Sequence, residues 1–102
     1  LNIAGGLKVN DPAIDLAVIS AILSSSLDIS IEPGISMCGE VGLSGEIRPV
    51  NRIEQRILEA EKLGFSRIII PHNNLKGFDT SKCKMQIVQV RKVEEAFRQL
   101  FG

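Results

Sequence analysis

Few residues in this sequence have types and spacings that could do chemistry: one histidine, two cysteines, several serines, and the arginines Arg48, Arg52 and Arg56. His72 follows an apolar, strand-like run together with Asn73 and Asn74, at the kind of edge where α/β folds bind ligands. No second histidine or cysteine stands near it to complete a metal site, so it reads as an exposed loop histidine. Cys38, in an apolar stretch, and Cys83, in a lysine-flanked loop, lack CxxC spacing, so no zinc site is expected and both read as free thiols. Ser44, or one of Ser24 to Ser26, could be offered with Lys8 as a nucleophile and base. Serines in turns and at helix ends, however, have local backbone reasons to be there. The glycines of GEVGLSGE, Gly39 to Glu46, come without the lysine and hydroxyl residue of a phosphate loop, which argues against a nucleotide site. The arginines are left. Arg52 and Arg56 lie one helical turn apart with no acidic partner at that spacing, a repulsion of about 0.2 to 0.5 kcal/mol. The pair reads as a solvated face or as an intersubunit salt bridge to Glu59 or Glu46, with contact to a phosphate as the alternative.

The elements that must position these groups follow from pattern. Ser36 to Val41 (SMCGEV) reads as a strand, Gly42 to Gly45 as a turn and Glu46 to Val50 as the returning strand of a hairpin. Pro49 suits the end of that strand, and Asn51 is placed to cap a helix from about Arg52 to Leu63. Ile53, Ile57, Leu58, Ala60 and Leu63 would share one face of it, and Gly64 would stop it. Upstream, Leu1 to Ala4 reads as a short strand, and Asp11 with Pro12 starts a helix to about Ser26. That helix is so densely apolar that sheet, other helices or another subunit should cover most of it. Downstream, Arg67 to Ile70 reads as a strand buried on both sides, Pro71 to Thr80 as a loop, Lys84 to Val90 as a strand and Lys92 to Leu100 as an amphipathic helix. Strands and helices interleave, which predicts an α/β layer structure.

The 102 residues are enough for one domain, and an apolar share of 44% supports a small core. Twelve acidic and twelve basic residues balance, which argues against nucleic-acid binding through bulk charge alone. No apolar run approaches the roughly 20 residues of a membrane span, so the chain reads as cytoplasmic with no membrane partner. The opening LNIAG resembles a strand already under way, so the domain's first elements are expected to be missing from what reads as a fragment of a longer multidomain chain.

GEVGLSGEIRPV, the following helix with Glu54, Gln55 and Arg56, LGFSRIIIP at Leu63 to Pro71 and AGGLKVNDPAIDLA at Ala4 to Ala17 together resemble the C-terminal Lon-protease-like domain of the bacterial RadA/Sms DNA-repair proteins. The resemblance runs over nearly the whole chain. It implies the ribosomal protein S5 domain 2-like fold of Lon proteolytic domains. Such domains, when proteolytic, use a serine–lysine dyad, the lysine deprotonating the serine for attack on a peptide carbonyl. The serine belongs to a PKDGPSAG-type motif, and Ala13 stands in its place here. The lysine belongs to a PIGGLKEK-type motif, and here Glu54 holds that position. The resemblance therefore implies a degenerate dyad and no peptidase activity. It further implies a parent that is a DNA-dependent ATPase promoting branch migration, with ATP, magnesium and zinc held outside this chain. The partners it implies are the parent's own ATPase domain, neighbouring copies in a ring, expected as a homo-hexamer, DNA, and RecA. Arg48, Arg52 and Arg56 become the candidate DNA or intersubunit contact. Two rival readings are a working Lon-related ATP-dependent serine protease domain and a stand-alone protein-interaction domain.

Overall fold

The computed structural model describes residues 2–3, 7–8, 11–75 and 80–102. A two-residue hairpin opens it, β1 (Asn2–Ile3) antiparallel to β2 (Leu7–Lys8). Asp11 then accepts a hydrogen bond from the Ala13 N–H at 3.0 Å, and Pro12 occupies the first position of a 3-10 turn that leads into α1 (Asp15–Leu27). That is the expected start, with the proline's missing N–H placed where no partner exists. Asp28, in a left-handed conformation, closes the helix.

The chain continues through β3 (Ile35–Met37), β4 (Glu40–Val41), β5 (Ile47–Arg48), α2 (Ile53–Lys62), β6 (Arg67–Pro71), β7 (Gln86–Val90) and α3 (Val93–Phe101). β3, β6 and β7 form a parallel sheet in that order, with Ile35 opposite Arg67 and Ile68 opposite Ile87. β4 and β5 form a separate antiparallel hairpin, Val41 opposite Ile47. Mixed α/β architecture is thus as expected, but the strand from Ser36 to Val41 is two strands. Cys38 and Gly39 break it, because Gly39 turns aside to bond with the start of α1: its N–H donates to the Ala13 carbonyl at 2.8 Å and its carbonyl accepts from Leu16 N–H at 3.1 Å. A Cβ at Gly39 would stand 2.8 Å from Ile47 Cγ2, so only glycine allows this approach.

The period-2 alternation of β6 assigns its isoleucines to opposite faces. Ile69 joins Leu16, Ile35, Ile47, Val90, Ala96 and Leu100 in a core beneath α1 and α3. Ile68 and Ile70 join Cys38, Ile53, Ile57, Ala60 and Met85 beneath α2. Pro71 extends β6 by one residue beyond the expected strand, and β7 begins at Gln86 rather than Lys84. α3 buries Ala96 and Leu100 as its periodicity predicts.

Two expectations for α2 fail. Asn51 does not cap it: the residue before the first helical position is Arg52, left-handed at φ 55°, with no side-chain capping bond. Leu58 and Leu63 do not share the buried face, being 57% and 68% exposed. The helix end matches expectation, since Gly64 N–H donates to the Glu61 carbonyl and Phe65 N–H to that of Ala60, a Schellman motif around Gly64 at φ 93°. α1 is less covered than its apolar density demands: only Leu16 and Ser20 are buried, and Ile22 is 62% exposed.

Candidate functional site

The two stretches expected to carry the dyad do meet, and Arg56 is what ties them. From the second turn of α2 its Nη2 donates to Asp11 Oδ2 at 3.4 Å and to Asn51 Oδ1 at 3.1 Å, while its Nε donates to the Asn51 carbonyl at 2.9 Å. Asp11 meanwhile uses its other oxygen on the Ala13 N–H. One carboxylate therefore anchors both the turn holding Ala13 and the helix holding Glu54. The absence of an i, i+4 acidic partner for Arg56 is made good by a residue 45 positions away.

Ala13 is 2% exposed and borders a hollow of about 180 Å³ together with Asp11, Pro12, Glu40, Pro49, Val50 and Asn51. Among the described residues no hydroxyl, thiol, imidazole or amine side chain lines it, and the side chain of Lys8, offered above as a base, lies outside the described residues. Glu54 is exposed in the first turn of α2, where its charge suits the positive helix end, and it does not line the hollow. Ser44 lies exposed in the hairpin turn, its N–H donating to Glu46. Ser24 instead bonds the Ile29 carbonyl, a helix-end role.

The three arginines differ. Arg48 is paired within its own hairpin, 2.9 Å from Glu46 and 3.9 Å from Glu40. Glu46 takes a bond from its own backbone N–H, then from Arg48 and from Ser44 N–H, and together these hold its carboxyl below the usual range. Arg56 is engaged as described. Arg52 is exposed, and its side chain makes no hydrogen bond or ion pair among the described residues, while its carbonyl accepts from Arg56 N–H at 3.1 Å. Of the lysines around the later loop, Lys84 donates its backbone N–H to Glu61, whereas Lys76 and the Lys82 side chain lie outside the described residues.

His72 sits just past β6, as expected, and accepts a hydrogen bond at Nε2 from Arg91 at 2.9 Å, since a guanidinium can only donate. Asn74 fixes the same loop by a reciprocal pair of bonds with the Val50 backbone. Neither bond is legible in sequence, because each joins segments about twenty residues apart. Cys38 and Cys83 are both free thiols. Burial pushes the Cys38 thiol up to about 11, with Arg56 partly opposing. Desolvation, then the carboxylate of Glu61, raises that of Cys83. Among the described residues no group of three or more histidine, cysteine or acidic side chains could hold a metal ion, and no helix is long and apolar enough to cross a membrane.

Residues 4–102 match the family described as Lon protease (S16) C-terminal proteolytic domain. The whole chain is 49% identical to 22% of the DNA repair protein RadA of Bacillus subtilis, 50% identical to 24% of that of Streptococcus pneumoniae, and 42% identical to 22% of that of Halalkalibacterium halodurans. It thus spans between a fifth and a quarter of the length of these curated relatives. The chain belongs to the Lon protease C-terminal domain family and, within it, is similar to the Lon-like domain of RadA DNA-repair proteins.

Proposed function

We propose that this chain is a non-proteolytic Lon-like scaffold within a RadA-type DNA-repair protein, contributing surface to DNA and to assembly while ATP hydrolysis and branch migration reside elsewhere in that protein. The observation that carries this is the hollow at Ala13. A Lon-type peptidase needs a hydroxyl to attack and a neutral amine to deprotonate it. Here the hollow offers two carboxylates, Asp11 and Glu40, beside a methyl group. Glu54, at the place of the lysine, faces solvent on α2. A carboxylate cannot activate a nucleophile that is absent.

On this reading the chain is one domain of a larger one and takes the ribosomal protein S5 domain 2-like topology of Lon proteolytic domains. ATP and magnesium belong to a RecA-like ATPase part and zinc to an amino-terminal part, with RecA as a further partner. Arg48, Arg52 and Arg56 are the candidate DNA surface, and Arg52 is its leading member, since it alone of the three has no carboxylate beside it among the described residues. Incubation with an unfolded protein and with a fluorogenic peptide is expected to give no cleavage, with Lys8→Ala behaving as the parent. Turnover abolished by a serine-directed inhibitor would overturn the proposal.

A further inference from the structure

Among the described residues, three that are not glycine have left-handed backbone: Asp28, Arg52 and Asn73. Asp28 ends α1. The other two stand at the two ends of a strut that joins the carboxyl edge of the sheet to the entry of α2. Asn73, at φ 62°, turns the chain just past β6, and the partly buried amide of Asn74 follows it. Asn74 Oδ1 accepts from Val50 N–H at 2.8 Å, and its Nδ2 donates to the Val50 carbonyl at 3.1 Å. An amide carries a donor and an acceptor side by side, so it pairs with both backbone groups of one residue as a neighbouring strand would. The near end of the strut is fixed too, since His72 N–H donates to the Val90 carbonyl at 2.8 Å and the His72 ring accepts from Arg91. At the far end, two residues beyond Val50, stands Arg52 at φ 55°.

We propose that Asn74 is a positioning residue for Arg52 and, through it, for a DNA phosphate. A left-handed residue other than glycine persists only where its surroundings over-determine it. The bonds from Arg56 to Asn51 supply one restraint at this point, and Asn74 supplies the other by holding Val50. Without Asn74 the segment before the helix is freed, and Arg52 relaxes to the right-handed or extended backbone that its side chain prefers. That change swings the guanidinium to a new place. The charges around Arg52 leave it as the one to be satisfied. In the hollow of about 330 Å³ that it borders, Asp11 and Arg56 are paired with one another at 3.4 Å. Further along α2, Glu59 and Lys62 offset each other in sign. This inference rests on the DNA reading of Arg52 above and names the uncharged residue on which that contact depends.

The test is duplex binding by the multidomain protein over a range of salt, for the parent, Asn74→Ala, Arg52→Ala and the double variant. Circular dichroism checks folding and light scattering checks assembly. Asn74→Ala removes no charge, yet it is expected to weaken binding by up to about tenfold and to lower the salt slope by about one unit, as the loss of one phosphate contact does. In the Arg52→Ala background the same substitution is expected to change neither, because a contact already absent cannot be displaced. Asn74→Ser, whose single hydroxyl cannot pair with both groups of Val50, takes the place of an alanine variant that does not fold and is expected to behave as described for it. Suppose Arg52→Ala lowers affinity and slope. Asn74→Ala matching the parent, or weakening binding equally in both backgrounds, then overturns the positioning role and leaves the DNA reading standing. Arg52→Ala binding as the parent does overturns that reading and this proposal with it. Loss of assembly in either single variant overturns the proposal as well, since Arg52 then serves a contact between copies.

Discussion

Cys38 lies under α2 at the point where the parallel sheet gives way to the hairpin, and its backbone N–H donates to the Ile69 carbonyl at 3.0 Å. The residue is 5% exposed, and a thiolate there would lose its hydration with only Arg56 to offset the loss. In the unfolded chain the group ionises near 9.0, and in the fold at about 11. Between those values the native state holds a proton that the unfolded state releases. The stability so contributed is complete below about pH 9 and is lost as pH climbs towards 11, by up to about 2 to 3 kcal/mol. Urea midpoints measured from pH 8 to 11 are expected to fall more steeply for the parent than for Cys38→Ala. Parallel curves would mean that other groups govern the alkaline loss.

At the scale of elements, the entry to α2 is where local sequence and observed backbone disagree. A left-handed residue without glycine's freedom costs about 1 to 2 kcal/mol, and Arg52 adopts that conformation at φ 55°. What holds Arg52 there is the fastening on either side: Arg56 tied to Asn51 and Asp11 on one flank, and Val50 tied to Asn74 on the other. Arg52→Gly relieves the strain but frees the unfolded chain, at an opposing cost of about 0.5 to 1 kcal/mol. The net expectation is a gain of up to about 1 kcal/mol, read from the denaturant midpoint at constant slope. Arg52→Gly less stable than the parent would show that the arginine side chain makes a stabilising contact of its own.

For the molecule as a whole, the charge balance leaves the proposed DNA contact to local groups, and the internal pairing of Arg48 and Arg56 narrows these further. In the multidomain protein, Arg52→Gly is expected to weaken duplex binding uniformly across sequences and to lower the salt slope by about one unit. Arg48→Ala is expected to change the slope less, since its charge is already compensated by Glu46. Affinity and slope equal to the parent's, in protein of unchanged assembly, would remove Arg52 from the DNA surface. What the sequence determined by itself was whatever depends on neighbours within a turn or two of chain. Alternation made β6 a buried strand, Asp11–Pro12 began a helix, and Gly64 ended another. Only the tertiary structure decided that Ser36 to Val41 is two strands, because the break answers to hydrogen bonds from Gly39 to Ala13 and Leu16, more than twenty residues upstream. The same holds for Arg56, whose partner Asp11 is 45 residues away. It holds too for Leu58 and Leu63, apolar by type yet left exposed, because α2 meets the sheet through Ile53, Ile57 and Ala60 alone. Burial and charge pairing are sums over residues distant along the chain, and a periodicity can report only the ones close by.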